Sequence, residues 1–154
     1  MRSESGVDAT LLALARAAIG GEFGIVTANI PRHARLAAPG ATFVTLRRDG
    51  ELRGCIGSVS AWRSLGDDVR ANAIAAAFRD PRFEPLSMAE FATTAIEVSL
   101  LGPTEPLRVV DEDDALARLR PGVDGVILQC GRKRATFLPQ VWEQLPEARD
   151  FLAA

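Results

Sequence analysis

The sequence predicts an α+β fold, and three observations carry that reading. Two stretches have the form of β-hairpins, one alternating segment reads as a further strand, and helical patterns interrupt them throughout. The implied order is α-β-β-α-α-β-α-β-β-α. Strands that follow one another through tight turns pair antiparallel, so we expect a mixed or antiparallel sheet with two hairpins and helices packed on it. At 154 residues with 47% apolar composition, the chain fits a single domain spanning residues 1–154.

Taken in order, Thr10 to Ala18 is rich in strong helix formers, and Gly20-Gly21 is expected to stop that helix. Asn29 to Gly40 contains Pro31 and Pro39 with no clear period and reads as an extended loop. The strongest local signal follows. Thr42 to Leu46 and Glu51 to Gly57 flank Asp49-Gly50, the dipeptide that supplies the positive φ angles of a type I′ turn. Alternation along the second arm puts Leu52, Gly54 and Ile56 on one face, and predicts that Arg53 and Cys55 project together from the other.

Ser64 caps a helix running to about Arg79, with Asp67 and Asp68 near its positive end and many alanines that suit close approach to a sheet. Pro81 ends it and leaves a compact turn, Phe78-Arg79-Asp80-Pro81-Arg82-Phe83. Ser87-Met88-Ala89-Glu90 has the form of a capping box and opens a short helix. Thr94 to Leu100 alternates as a half-buried strand, with Ile96, Val98 and Leu100 on one side. Asp111 to Arg120 reads as a short acidic helix. Val126 to Cys130 and Arg134 to Leu138 form the second hairpin, and Pro139 opens a last helix carrying Val141, Trp142 and Leu145.

Composition weighs against several function classes. Net charge is only −2, aromatic content is 6% and there is no tyrosine, so no stacking platform for nucleic acid is visible. No apolar run approaches the ~18 residues of a spanning helix, and the first residues lack the pattern of a leader, so we expect a cytoplasmic protein. The lone histidine and two cysteines show no metal-ligand spacing, and we assign no metal and name no cofactor. Charge is unevenly spread: from Arg32 to Arg82 nine arginines face five acids. Clustered guanidinium groups favour small anionic ligands, while the structural alternative is a dispersed, solvated surface.

Cys55 is the candidate nucleophile, with Arg53 on the same strand face supplying charge that favours the thiolate. The competing reading is a small buried thiol between two glycines. Arg79, Asp80 and Arg82 on their stiff turn form a candidate substrate-binding fork, or equally a helix end locked by Asp80. Glu97 is a candidate substrate contact or proton carrier, or a solvated strand residue. His33 acts as a base toward Cys55 only if its loop folds over the hairpin. Cys130 reads as structural, since its neighbours are apolar.

The segments Leu52-Arg53-Gly54-Cys55-Ile56-Gly57, Phe78-Arg79-Asp80-Pro81-Arg82-Phe83, Ile96 to Leu100 and Thr136 to Val141, in this order, resemble the AMMECR domain family. Its bacterial members are labelled AmmeMemoRadiSam system protein A. The resemblance runs from about Phe43 to Phe151. It implies an α+β fold of two subdomains with the Leu52–Gly57 segment at a cleft between them, and it raises the weight of Cys55. It also implies a pathway shared with a Memo-type protein and a radical S-adenosylmethionine enzyme, with no settled reaction. Three roles stay open: an enzyme or enzyme subunit acting on a small anionic substrate, a non-catalytic regulatory partner, and an RNA-associated factor. Family members usually continue beyond the point equivalent to Ala154, which leaves open a chain cut short or a naturally short domain.

Overall fold

The computed structural model describes residues 5–138, 142, 145–147, 149 and 150. They form two compact units, the first ending at Thr104 and the second beginning at Glu105.

The first unit opens with helix α1, Ser5–Glu22. Val7, Leu11, Leu14 and Ile19 recur at helical spacing and are all buried. The helix runs through Gly20-Gly21, where the sequence places its stop. Neither glycine takes a positive φ; Gly24 does, at +77°. There the Ile25 amide donates to the Gly20 carbonyl at 2.9 Å and the Gly24 amide to the Gly21 carbonyl at 3.0 Å, a left-handed C-terminal cap. The predicted loop that follows holds one short 3-10 turn, Ala34–Ala37, and His33 caps it by accepting from the Arg35 amide.

Strands β1 (Thr42–Arg48) and β2 (Glu51–Gly57) form the expected hairpin. Asp49 and Gly50 take φ of 52° and 80°, as a type I′ turn requires. Helix α2, Leu65–Phe78, starts at Ser64, whose hydroxyl accepts from the Asp67 amide. Helix α3, Met88–Phe91, has the reciprocal Ser87 and Glu90 bonds of a capping box. Strand β3, Ala95–Leu100, then pairs antiparallel with β1, so the sheet order is β2-β1-β3.

Helices α1 and α2 lie on one face of this sheet. Val44 and Leu46 from β1 are fully buried against Leu65, Val69, Ala73, Ala76 and Ala77, with Ile56, Ile96, Val98 and Leu100 packed at the margin. Gly54 explains how close the layers come, because a Cβ at that position would run into the backbone carbonyl oxygen of Ala76. A side chain of any size there would push α2 off the strand.

The helix is also pinned by a buried polar cluster. Asp68 is fully buried, and its Oδ2 accepts from the Thr42 amide at 2.7 Å, the Thr42 hydroxyl at 2.8 Å and Asn72 at 3.0 Å. Its Oδ1 accepts from Ser58 at 2.6 Å and Arg63 Nε at 2.8 Å. A buried carboxylate is tolerable only when its lone pairs are filled in this way.

In the second unit, helix α4 spans Glu112–Arg118 and is capped by Asp111. Strands β4 (Val126–Cys130) and β5 (Lys133–Phe137) make the second hairpin, around Gly131 at a φ of 59°. Trp142 is buried, and its indole donates to the Asp124 carbonyl at 2.7 Å. The start of the helix expected at Pro139 lies outside the described residues.

Candidate thiol site on the sheet

Cys55 sits in the middle of β2, which is an edge strand. Its amide donates to Asp80 Oδ2 at 2.9 Å, and its carbonyl accepts from Arg82 Nη2 at 3.2 Å. Both backbone groups therefore point away from β1. In an antiparallel ladder that makes Cys55 and its partner Thr45 a non-hydrogen-bonded pair, the kind whose side chains lie closest. The Thr45 hydroxyl lies 3.3 Å from the Cys55 sulfur, within hydrogen-bonding distance. The thiol is half-buried, on the face turned away from α1 and α2.

The turn after α2 works as a clamp on this edge. Asp80 is buried and accepts from the Arg82 amide at 3.1 Å, Arg82 Nε at 2.9 Å and Arg82 Nη2 at 2.7 Å. Together the two side chains cover the outward N–H and C=O of Cys55 as a neighbouring strand would. The Arg82 guanidinium holds the Asp80 carboxyl far below the usual carboxylate range despite burial, and the amides of Cys55 and Arg82 add to the effect. The Arg82 side chain remains 54% exposed.

Arg53 does not share this environment. The ladder skips it: Leu46 pairs with Gly54 and Arg47 with Leu52, which leaves Arg53 as the extra residue of a bulge. Its guanidinium makes a bidentate pair with Glu90, at 3.1 and 3.2 Å, and donates to the Glu84 carbonyl at 2.9 Å. It also lies over the Phe83 ring at 5.7 Å. Arg48 adds a second contact to Glu90 at 3.3 Å. Held by Arg53 and by the Ser87 amide, the Glu90 carboxyl is pulled down to about 2. Glu90 was not singled out from sequence as more than a capping-box residue, and nothing local in the sequence joins it to Arg53.

Of the remaining candidates, Glu97 lies opposite Thr45 on β3, in the same cross-strand row as Cys55, and pairs with Arg47 at 3.0 Å. Arg79 caps the C-terminus of α2 through its amide, is exposed, and its side chain has no ion pair or hydrogen bond among the described residues. His33 is occupied in capping its own turn. Cys130 is exposed rather than packed among apolar neighbours, because β4 belongs to a two-stranded sheet that cannot cover both its faces. Among the described residues no group of three or more His, Cys, Asp or Glu side chains is placed to hold a metal ion. A separate groove of about 470 Å³ lies where β1 begins, lined by Pro39, Leu65, Leu100 and Pro103 among others, and none of the predicted site residues borders it.

The model of the AMMECR1 family matches residues 12–154. The chain belongs to the AMMECR1 family. Over 111 residues it is 46% identical to a protein of Methanothermobacter thermautotrophicus, covering 71% of this chain and 58% of that one. Over 151 residues it is 37% identical to a protein of Sulfolobus acidocaldarius, covering 93% and 66%. A solved structure, that of an uncharacterised protein PH0010 from Pyrococcus horikoshii, superposes with a TM-score of 0.84 at 31% identity, over 95% of this chain and 76% of the other. The matched stretch thus spans less than two thirds of each of these two relatives. No helix of the described residues is long and apolar enough to cross a membrane.

Proposed function

We propose that this AMMECR1 protein carries a thiol site centred on Cys55 and acts, as an enzyme or enzyme subunit, on a small anionic substrate. The observation that carries the reading is the setting of the sulfur. It is half-buried, reached by the Thr45 hydroxyl, and fixed in direction by a strand edge that Asp80 and Arg82 hold from outside. Such a thiol is neither sealed in apolar packing nor free to rotate in solvent, and reactive cysteines occupy settings of this kind. Arg82, exposed and bonded to the Cys55 carbonyl, is the cation nearest at hand for an anion, and Arg79, three residues before it, is exposed as well. Arg53, committed to Glu90, serves the fold first.

The test is the alkylation of each cysteine by iodoacetamide in the folded protein, followed by peptide mass analysis. Cys55 is expected to react faster than Cys130, although Cys130 is the more exposed of the two. A Cys55 that stays unmodified while Cys130 is consumed refutes the reading. An untargeted screen of anionic metabolites for thermal stabilisation would then name the substrate class, since a ligand selective for the native state raises the melting temperature.

A second reading is a non-catalytic partner protein, and Trp62 favours it. The residue is 70% exposed, with the Arg63 guanidinium over its ring at 4.6 Å. Exposed tryptophan and arginine are the commonest anchors of protein interfaces. The partners this reading proposes are the Memo-type and radical S-adenosylmethionine proteins that the family resemblance implies. Association with them is expected to survive Cys55→Ser and to fail with Trp62→Ala.

A further inference from the structure

We propose that Thr45 is the positioning residue of the site: its hydroxyl, fixed inside the central strand, hydrogen-bonds the Cys55 sulfur and is placed to donate to it once the thiol loses its proton. This rests on the reading of Cys55 as a nucleophile and deepens it.

Thr45 lies in β1, the central strand, with β2 on one side and β3 on the other. It is only 6% exposed. Among the described residues the Cys55 sulfur is the one hydrogen-bond partner of its hydroxyl, at 3.3 Å. A buried hydroxyl needs a partner, and here the fold offers it a sulfur. The pairing geometry brings the two side chains together. Because the Cys55 amide and carbonyl are taken by Asp80 and Arg82, the two residues face each other as the close pair of the ladder. Threonine is also stiff at χ1, so its oxygen does not swing away freely.

The consequence depends on charge. In the neutral state either atom can donate, S–H to oxygen or O–H to sulfur. Once the thiol has lost its proton only the hydroxyl can donate, and the bond becomes charge-assisted and stronger. An interaction that strengthens on ionisation favours the thiolate. The other charged groups around Cys55 are Arg82 and Asp80 at the strand edge, Arg53 two residues back on β2, Glu97 in the same cross-strand row on β3, and Arg47 two residues on from Thr45 in β1. All five remain in place when the Thr45 hydroxyl is removed.

Thr45→Val keeps the branched shape and the strand preference while deleting the donor; Thr45→Ser keeps the donor. In a Cys130→Ser background, the rate of Cys55 alkylation by iodoacetamide is followed against pH by intact mass. Loss of one hydrogen bond to a charged sulfur is expected to lower the thiolate fraction at a fixed pH about tenfold, which moves the midpoint of the profile up by about one pH unit. Well below the midpoint the rate falls only about threefold, because a more basic thiolate is a better nucleophile. Thr45→Ser is expected to keep the midpoint of the unsubstituted protein. If valine disturbs the strand, as judged by circular dichroism, Thr45→Ala reads out the same loss. A reactive Cys55 whose midpoint is unmoved by either substitution overturns the role of Thr45 and leaves the nucleophile standing. A Cys55 that fails to react in the unsubstituted protein removes the nucleophile itself.

Discussion

Replacing Gly54 with alanine tests the close approach of sheet and helix on which the site is built. The new Cβ would point at the carbonyl oxygen of Ala76 and lie 3.1 Å from its carbonyl carbon, with Leu46 at 3.6 Å behind it. Carbon and carbonyl oxygen normally meet at about 3.3 Å or more, so strand and helix would have to part by roughly 1 Å. Both clashing partners are backbone, in a strand held by β1 and a helix held by the Asp68 cluster, so neither yields by a rotamer change. Overpacking of this kind costs up to about 3 kcal/mol. The entropy that alanine removes from the unfolded chain returns about 0.5–1 kcal/mol, for a net loss of about 2 kcal/mol. In urea unfolding followed by far-ultraviolet circular dichroism, that is a midpoint lower by about 1 M at an unchanged slope. Gly21→Ala is the control: nothing lies within 4 Å of its Cβ position and it is helical, so the same change is expected to stabilise by about 0.5–1 kcal/mol. A Gly54→Ala midpoint within about 0.3 M of the parent's would refute the packing argument.

Three further outcomes follow from the polar contacts. Asp68→Ala leaves Arg63 and the Thr42 amide without their buried acceptor and is expected to cost about 3–5 kcal/mol by urea unfolding, with Asp68→Asn milder because one oxygen remains. Asp80→Ala uncovers the outward amide of Cys55 and is expected to cost about 2–3 kcal/mol; amide hydrogen exchange at Cys55 should accelerate while that of Val44 in the core stays slow. Glu90 titrates lower in the folded protein than its ordinary 4.5, near 2, so its contribution is complete above pH 4.5 and fades as the pH falls toward 2. The stability difference between the parent and Glu90→Gln should therefore shrink over that interval, and a difference that is flat from pH 6 to pH 2.5 would contradict the Arg53 pairing.

What could be read from the chain alone was whatever neighbours in sequence decide. The β1–β2 hairpin follows from Asp49-Gly50, because positive φ is a property of those two residues. The starts of α2 and α3 follow from Ser64 and Ser87, whose hydroxyls reach amides three residues on. The face of β3 that meets the core follows from simple alternation. The end of α1 was misplaced, since a glycine pair can stay helical and the left-handed cap needed Gly24.

The site itself belongs to tertiary structure. Cys55, Asp80 and Arg82 were legible as chemistry-bearing residues, yet not that Asp80 accepts from the Cys55 amide 25 residues away. Arg53 was expected beside the thiol on strict alternation, and a bulge removed it from the ladder and sent it to Glu90. Thr45 carried no signal at all, because a threonine in a strand is ordinary until its partner strand brings a sulfur to 3.3 Å. Local rules act through backbone preference and the period of side chains, and these stop at the ends of an element. Which element lies beside which depends on how close two layers can come, and here the absence of a single Cβ at Gly54 helps to set that distance.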